Sequence, residues 1–500
     1  MIGETEEQRG NFMANVVIIG GGVSGLSAGI YTQMSGHHAI VCERHTVAGG
    51  NLTGWDRGGY HIDNCIHWLT GTNPATDTYQ MWEDLGALGS DVEVYQSEAL
   101  YTCERDGKQI SLYRDLDRLE REMIALSPRD THAIRSFCKT VRDIQGHVGI
   151  GGENNDQPLT NGEKLVSLPG IIKHHWMSTG EFAARLHHPL LQDLIISLVG
   201  TEFSTFALAV IVATFCGKNG ALPKGSSCAM LERITKRLLE LGGELHLSKE
   251  AVSIQHENGR ATSVTFSDGS TIAADYVIIA TDPIVAYRKL LSMELPTQLK
   301  KKYAQDSKYR FSSYHCAFAC DAKELPFKGD FIFEIPQEYR ERLHTRYLVI
   351  REFSHEESFA PEGKSLLQTL TLCDEETARE FVELRADKTA YVERKRVIAN
   401  DVLSLITNQF PSLAGKLTVL DVWTPATYQR YIGSDIGSWM SFIFTPRTLP
   451  KKLDNRVKPL KNAVFATQWL NSPGGLPIAG SEGKRAVQSL LEIIAKDQKN

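Results

Sequence analysis

The first apolar positions of the chain predict a strand, a helix and a second strand in close succession. The run "NVVII", Asn15–Ile19, is almost wholly apolar, as expected of a strand buried on both faces. "VSGLSAGIYTQM" continues from Val23 with helical spacing, and "HAIVC" from His38 is a second apolar run. A strand, a glycine turn, a helix and a strand within about 30 residues predict a βαβ unit, whose strands run parallel.

A different pattern begins at Asp115. "DLDRLEREMIALSPRDTHAIRSFCKTVRDI" predicts two amphipathic helices, with Pro128 in the first turn of the second. A polar, glycine-rich loop over residues 149–163 precedes an unusually apolar helical stretch, residues 170–217. The uncharged part of that stretch, Phe203–Gly217, has fifteen residues, fewer than the roughly 20 that span a bilayer. We therefore expect either a core helix or the wall of an apolar cavity.

Alternating apolar and polar positions dominate the second half of the chain. The dipeptides Asn258-Gly259 and Asp268-Gly269 predict hairpin turns. The segments "SSYHCAFAC", "DFIFEI", "RYLVIREF" and "LLQTLTLC" predict strands of a mostly antiparallel sheet, and a long helix is expected from Glu375 to about Gln409. From Asn462 the chain closes as a strand, a glycine turn and a helix.

These patterns predict an α/β fold with a three-layer, Rossmann-like nucleotide-binding domain. An inserted α+β substrate-binding domain interrupts it, and the C-terminal strand and helix complete it. The length of 500 residues also favours two or more domains. We infer residues 14–100, 220–290 and 457–500 for the nucleotide-binding domain, and 101–219 and 291–456 for the inserted domain.

Composition narrows the range of partners and locations. A net charge of -6, from 54 basic and 60 acidic residues, gives no support to a nucleic-acid partner. The nine cysteines are dispersed without a CxxC pair, which predicts reduced thiols and no metal site. Cys316 and Cys320 alternate along a predicted strand, so both should be buried. The acidic first residues lack the apolar core of a signal peptide, and a cytoplasmic location is expected.

Gly20, Gly22 and Gly25 have the spacing G-x-G-x-x-G between the first strand and the first helix. The first glycine allows a tight turn, the second lets a pyrophosphate approach the backbone, and the third lets helix and strand pack closely. The helix N-terminus then offers unpaired N–H groups to the phosphates. Glu43 ends the second strand, where its carboxylate can accept both ribose hydroxyls and would repel the 2′-phosphate of NADP.

A second glycine pair, Gly49-Gly50, decides between NAD and FAD. A simple NAD domain has no need of these glycines a few residues after the ribose-binding carboxylate. Flavoproteins use such a loop where the backbone passes the diphosphate and the ribityl chain. We therefore predict FAD as the cofactor, and the predicted FAD-binding set also contains Ser24, Arg44 and Asn51.

Three motifs, in order along the chain, resemble those of the flavin amine oxidase and phytoene desaturase clan. They are "GxGxxG…E…GG" near the N-terminus, "GALPKGSSCAMLERITKRLLELGGELHL" in the middle and "NAVFATQWLNSPGGLPIAGSEGKRAV" at the end. The most similar branch contains phytoene desaturases, carotenoid isomerases and retinol saturases. The chain departs from the family pattern at Asn51, where arginine is usual, and at residues 466–469, where a Gly-Asp pair is frequent.

The resemblance implies FAD contacts position by position. It places Gly20, Gly22 and Gly25 against the pyrophosphate, Glu43 on the adenosine ribose, and Gly49 and Gly50 beside the ribityl chain. It implies that the backbone N–H and C=O of Val252 meet adenine. It also places Gly474, Gly475 and Leu476 against the isoalloxazine, where the N-terminus of the last helix would stabilise an anionic reduced flavin.

The resemblance also implies an activity. It implies an FAD-dependent oxidoreductase that desaturates, saturates or isomerises a carbon–carbon bond of a hydrophobic substrate, isoprenoid, polyene or retinoid-like, by hydride exchange with flavin N5. Two alternatives stay open. One is a flavin amine oxidase acting on a polar amine, and the other is a non-enzymatic prenyl-binding protein of the Rab escort or dissociation-inhibitor type.

Candidate residues for the chemistry are few. His67, beside Trp68, is the candidate catalytic residue, as the polar contact nearest the substrate, and the alternative is a structural histidine. The aromatic residues Tyr428, Tyr431 and Trp439 either line a cavity or pack in a core. The segment Pro450–Asn462 carries five basic residues, which either make a peripheral membrane contact or lie in a solvated loop.

Overall fold

The computed structural model of the protein describes residues 13–145, 170, 172–306, 309–310, 312–448 and 453–499. The predicted loop 149–163, residues 1–12 of the acidic start and residues 450–452 of the basic segment lie outside this part of the chain. All elements named below belong to the described part.

The described chain contains both strands and helices. The strands are β1 Asn15–Ile19, β2 His38–Cys42, β3 Gly54–Arg57, β4 Tyr60–Asp63, β5 Leu69–Thr70, β6 Val94–Tyr95, β7 Ala99–Arg105, β8 Lys108–Tyr113, β9 Gly220–Pro223, β10 Glu244–His246, β11 Ala251–Glu257, β12 Arg260–Phe266, β13 Thr271–Ala273, β14 Tyr276–Ile279, β15 Ser312–Asp321, β16 Asp330–Glu334, β17 Tyr347–Glu352, β18 Lys364–Cys373, β19 Thr418–Trp423 and β20 Ala463–Phe465. The α-helices are α1 Val23–Met34, α2 Asp77–Asp84, α3 Leu116–Leu126, α4 Thr131–Gln145, α5 Thr179–Ala183, α6 Pro189–Ile196, α7 Thr205–Cys216, α8 Ser226–Glu240, α9 Pro283–Val285, α10 Thr297–Asp306, α11 Gln337–Leu343, α12 Glu375–Leu384, α13 Lys388–Gln409, α14 Pro425–Ile432 and α15 Leu476–Asp497.

A five-stranded parallel sheet, in the order β10-β2-β1-β14-β20, forms the centre of the nucleotide-binding part. Ile18 of the central strand is level with Val41 on one side and Ile278 on the other. Alternate residues of each strand face opposite layers. One face packs against α1, α8 and α15, and the other packs against the three-stranded sheet β11-β12-β13. The predicted three-layer, Rossmann-like α/β fold is confirmed.

A seven-stranded sheet, in the order β19-β15-β18-β17-β16-β7-β8, forms the centre of the inserted part. Every neighbouring pair is antiparallel except β16 and β7, as the alternating pattern predicts. One face of this sheet packs against α13 around Phe318, Ile350 and Val402. Cys316 and Cys320 of β15 are buried, as predicted.

The prediction of one helix from Glu375 to Gln409 is wrong, because two helices occupy that stretch. Helix α12 ends at Leu384 and α13 begins at Lys388. The carboxylate of Asp387 accepts hydrogen bonds from the backbone N–H groups of Thr389 and Ala390, both at 3.0 Å. This N-cap starts a new helix, and a side-chain cap of that kind interrupts an otherwise continuous helical pattern.

The strands of the parallel sheet come from all three segments assigned to the nucleotide-binding domain. Strand β7 begins at Ala99, two residues before the predicted boundary at 101. The domain boundaries themselves stay a prediction. Among the described helices, none is both long enough and apolar enough to cross a membrane.

Candidate functional site

One cavity of about 600 Å³ connects the two halves of the fold. At one end it is bordered by the residues that follow β1, β2 and β14, at the carboxyl edge of the parallel sheet. At the other end it is bordered by α7 and by β18 of the seven-stranded sheet. Ligands of open parallel sheets bind at this carboxyl edge, so the cavity lies where the fold predicts a nucleotide.

The first glycine motif leaves bare backbone at this edge. Gly20 has φ +106°, and a Cβ on Gly25 would lie 1.9 Å from the carbonyl oxygen of Gly20, so neither position accepts a side chain. A Cβ on Gly22 would meet nothing closer than 4.0 Å, which leaves open space in front of helix α1. Gly22 is the N-cap of α1, and no described side chain caps that end, so its first N–H groups are free to bind an anion.

The second glycine pair packs directly against the first. The N–H of Gly49 donates to the carbonyl of Gly21 at 2.8 Å, and Gly49 and Gly22 form an isolated bridge. Gly49 and Gly50 both have positive φ, and a Cβ on Gly50 would lie 3.3 Å from the Cα of Gly22. The two glycine motifs therefore form one continuous surface of bare backbone, which we call the glycine cradle: Gly20, Gly22, Gly49 and Gly50.

Glu43 is held rigidly beside the cradle. Its Oε2 accepts from the N–H of Gly21 at 2.8 Å and its Oε1 accepts from the N–H of His45 at 2.9 Å. The carboxylate is buried yet borders the cavity. Two further lone pairs remain for ribose hydroxyls, because each carboxylate oxygen can accept two bonds.

The last helix points its N-terminus at the same cavity. Gly474, Gly475 and Leu476 all border the cavity, and Gly475 has φ +123°. A Cβ on Gly474 would lie 2.5 Å from the backbone nitrogen of Ser441, so only glycine fits. No described side chain caps α15, whose N-cap is Gly475. A second helix N-terminus therefore borders the cavity, from the helix that packs beside α1.

The far end of the cavity is an apolar branch, bordered by Phe203, Phe206, Val210, Ile211, Leu372 and Phe444. These side chains belong to one hydrophobic cluster that also includes Trp68. Among the described cavity residues from 101–219 and 291–456, none is charged. The charged side chains at the cavity wall all belong to the nucleotide-binding part: Glu43, Arg44, Lys249, Glu250, Asp282 and Lys289.

The family model for flavin-containing amine oxidoreductases matches residues 23–491. The chain belongs to this family. It is therefore an FAD-dependent oxidoreductase, and the non-enzymatic prenyl-binding alternative is set aside.

Relatives of this flavoenzyme include several carotenoid enzymes. It is 22% identical to the lycopene-forming phytoene desaturase of Paracoccus sp., over 96% of this chain and 97% of the relative. It is 21% identical to the chloroplastic prolycopene isomerase of Daucus carota, over 88% and 73%. It is 22% identical to the 4,4'-diaponeurosporene oxygenase of Staphylococcus haemolyticus, over 96% and 98%.

Solved structures share the fold of the flavoenzyme. An oxidoreductase from Methanosarcina mazei matches with a TM-score of 0.59 and 16% identity, over 96% of this chain and 100% of the other. A variant of putrescine oxidase matches with a TM-score of 0.54 and 14% identity, over 97% and 99%.

The flavoenzyme's cavity fits FAD. The glycine cradle and the uncapped end of α1 suit a diphosphate, Glu43 suits the adenosine ribose, and the uncapped end of α15 suits the electron-rich edge of a flavin. When bound, FAD supplies hydride acceptance or donation. The contacts of Gly20, Gly22, Ser24, Gly25, Glu43, Gly49, Gly50, Gly474, Gly475 and Leu476 with FAD stay predictions, and all of these residues except Gly25 border the cavity.

Two residues predicted to bind FAD have other contacts, and a third lies away from the cavity. The guanidinium of Arg44 donates to the carbonyls of Arg430 and Tyr431, at the end of α14. The Asn51 amide donates to the carbonyl of Trp439 at 3.3 Å. Val252 does not border the cavity, whereas its neighbours Lys249, Glu250 and Ala251 do. A bulge between Ala251 and Ser253 leaves Val252 outside the strand register.

Three further polar residues border the cavity without having been predicted from the sequence: Gln468, Thr281 and Asp282. Gln468 accepts from the N–H of Gly475 at 2.8 Å. Burial raises the pKa of Asp282, whose Oδ1 accepts from the hydroxyl of Tyr303 at 2.7 Å. The sequence could have indicated Thr281 and Asp282, because this polar pair follows Ala280 at the end of the apolar run "YVII".

His67 borders the cavity beside Trp68. Burial lowers the pKa of the His67 ring well below its usual range, and the charge of Arg351 and the proximity of His315 lower it further. Arg351 holds the backbone here, donating to the carbonyls of Ile66 and His67 at 3.4 Å each. Among the described residues none hydrogen-bonds the ring itself, so the neutral imidazole is available to a ligand.

Of the three aromatic candidates, Tyr431 and Trp439 border the cavity and Tyr428 lies buried behind it.

Proposed function

We propose that this flavoenzyme desaturates, saturates or isomerises a carbon–carbon bond of an apolar substrate of the isoprenoid, polyene or retinoid class. The observation that carries the proposal is the apolar branch, which opens from the FAD cavity and has no charged side chain among its described residues. Burial of an apolar chain against such walls is favourable by about 25 cal/mol per Å². The names of the carotenoid relatives support the same substrate class.

An amine substrate fits the branch poorly. An ammonium group transferred from water into an apolar pocket loses several kcal/mol of hydration, by the order of magnitude for an unpaired buried ion. A carboxylate in the branch would offset this cost, and the described residues supply none. We therefore prefer a carbon–carbon bond to a carbon–nitrogen bond as the reacting group.

The chain's own residues contribute to the reaction by positioning the substrate and by handling a proton. The walls of the apolar branch orient the substrate and exclude water, so that a bond of the chain lies against the cofactor. The neutral ring of His67 stands where the branch meets the glycine cradle. We propose that it contacts the reacting part of the substrate and holds or accepts a proton there.

The flavin colour tests the proposal. The FAD-loaded protein is mixed anaerobically with phytoene or all-trans-retinol in detergent, and separately with putrescine, while absorbance at about 450 nm is followed. Bleaching by the lipid indicates desaturation, reoxidation of the photoreduced protein indicates saturation, and a change of isomer on chromatography indicates isomerisation. No response to either lipid contradicts the proposal, and bleaching by putrescine would then favour the amine oxidase alternative.

A further inference from the structure

Six residues from four separate parts of the chain form a ring of polar contacts, each within hydrogen-bond distance of the next, behind the wall of the cavity. We call it the hydrogen-bond ring; its members are Asn51, Asn64, Ser313, His315, Tyr428 and Trp439. Asn51 and Trp439 border the cavity. The other four lie behind them, and Ser313, His315 and Tyr428 are buried.

One half of the ring fixes the indole of Trp439. Its Nε1–H donates to the hydroxyl oxygen of Ser313 at 2.8 Å, and that oxygen lies 2.7 Å from Nε2 of His315. The His315 ring stacks on Trp423, with the centroids 4.6 Å apart and the planes 2° from parallel. The acceptor of the indole N–H is therefore itself held in place.

The other half of the ring returns to the cofactor loop. Nε2 of His315 lies 3.0 Å from the hydroxyl of Tyr428, which donates to Oδ1 of Asn64 at 2.9 Å. The amide of Asn64 donates to the carbonyl of Asn51 at 3.4 Å, and the amide of Asn51 donates to the carbonyl of Trp439 at 3.3 Å. Asn51, which directly follows Gly50, thus links the glycine cradle to Trp439.

Trp439 also contacts the C-terminal cofactor loop. Its carbonyl accepts from Nε2 of Gln468 at 3.2 Å, and Oε1 of the same amide holds the N–H of Gly475 at 2.8 Å. The indole lies between the cavity and the cluster of Ile62, Trp423 and Tyr428. The residue therefore stands at the cavity wall where both cofactor loops meet the inserted sheet.

The ring carries no exchangeable charge near neutral pH. Burial lowers the pKa of His315 to about 3 and raises the pKa of Tyr428. His315 and Tyr428 also do not border the cavity, so neither can reach a ligand there. The arrangement therefore serves to fix geometry rather than to transfer a proton.

We propose that Trp439 is a specificity-determining residue for the apolar substrate and that Ser313 is a positioning residue that fixes its indole through Nε1–H. The inference rests on the proposed function, because it takes the ligand to be apolar. With the indole fixed, the wall admits a flat polyene chain in one orientation toward the cofactor. With the indole free to rotate, that selection is lost.

The test is a double-mutant cycle on ligand binding. Trp439→Phe keeps a ring and removes the N–H, Ser313→Ala removes the acceptor, and the double variant carries both changes. The FAD Kd is measured by flavin fluorescence, and the Kd for all-trans-retinol by the perturbation of flavin absorbance. Ser365→Ala is the matched control, because this buried hydroxyl, in the neighbouring strand β18, has no partner among the described residues.

We expect each single variant to keep its FAD Kd within about twofold and to weaken retinol binding by about fivefold, the usual effect of one hydrogen bond. In the Trp439→Phe background, Ser313→Ala should add less than about twofold, because residues that act through one contact are not additive. Ser365→Ala should bind retinol as the parent does.

Three results decide the proposal. Independent, multiplying effects of the two substitutions, or a Ser313→Ala variant that binds retinol normally, overturn it while leaving the proposed function intact. A parent protein whose flavin spectrum responds to neither retinol nor phytoene overturns the proposed function and this inference with it. Strong coupling with unchanged FAD affinity supports both.

Discussion

At the scale of single residues, this site depends on glycines, because they have no Cβ atom. Gly22 and Gly25 belong to one motif, yet the space around them differs. A Cβ on Gly25 would overlap the backbone of Gly20, whereas a Cβ on Gly22 would enter open space in front of α1. Substitution of Gly25 should therefore impair folding, whereas substitution of Gly22 should impair cofactor binding.

We expect Gly25→Ala to destabilise the apoprotein by about 1–3 kcal/mol, the usual effect of overpacking. Gly22→Ala should leave the apoprotein stable, because φ is -72° at this position, and should weaken FAD binding by more than about tenfold, because its methyl group occupies the space for the diphosphate. Thermal unfolding of both apoproteins and FAD titration separate the two effects. A stable Gly25→Ala apoprotein would contradict the packing argument.

His67 gives a second prediction at this scale. Because burial and nearby Arg351 lower the pKa of its ring well below the usual range, the ring stays neutral through mildly acidic pH. Turnover should therefore show no inflection near pH 6.5, the ordinary value for histidine. His67→Gln should retain FAD and lose at least about tenfold in kcat, since a positioned acid–base group usually contributes more. An inflection near that pH that disappears in His67→Gln would contradict the prediction.

At the scale of elements, two helices begin at the cavity, and other helices enclose a buried histidine. Both α1 and α15 begin at a glycine, and their N-termini border the same cavity from different parts of the chain. Their combined dipoles favour an anionic ligand. The helices of the inserted part instead enclose His174, which is fully buried between Phe137 and Phe182.

His174 should make the protein sensitive to acid. Burial lowers the pKa of its ring to about 4, from 6.5. Below pH 6.5 the unfolded chain binds a proton that the folded ring does not, so the free energy of unfolding falls as the pH falls toward 4, by up to about 3 kcal/mol. His174→Phe should unfold with less pH dependence in this window, as measured by urea denaturation at several pH values. An unchanged pH profile in His174→Phe would show that other groups cause the acid sensitivity.

At the scale of the whole molecule, function requires two sheets to meet at one cavity. The parallel sheet supplies the cofactor edge, and the helices and seven-stranded sheet of the inserted part supply the apolar branch. The cofactor and the substrate are thus held by different parts of the chain. A change in one part should leave binding at the other intact.

Val210→Asp tests this separation. The new carboxylate would lie in the apolar branch and make burial of an apolar chain unfavourable, so lipid-dependent bleaching should fall by more than about tenfold, while FAD binding stays normal. Val392→Asp is the control, because Val392 is 64% exposed on α13. Loss of FAD from Val210→Asp, or normal bleaching in that variant, would contradict the division of roles.

The sequence by itself determined the local features of this protein. Hydrophobic periodicity specified the βαβ unit at Asn15–Cys42, the hairpin at Asn258-Gly259 and the antiparallel strands, because strand and helix spacing are properties of neighbouring residues. The glycine spacing and Glu43 likewise predicted a dinucleotide, and the pair Gly49-Gly50 indicated FAD. The break at Asp387 was missed, because a side-chain cap leaves no mark on the apolar pattern.

Tertiary structure decided what surrounds the cofactor and the substrate. Trp439 donates its indole N–H to Ser313, 126 residues earlier in the chain, and accepts from Asn51, 388 residues earlier. The cavity positions of Gln468 and Asp282, the place of Val252 on a bulge and the apolar branch depend in the same way on segments far apart in sequence. Such contacts follow from how the two sheets pack, and local spacing carries no information about that packing.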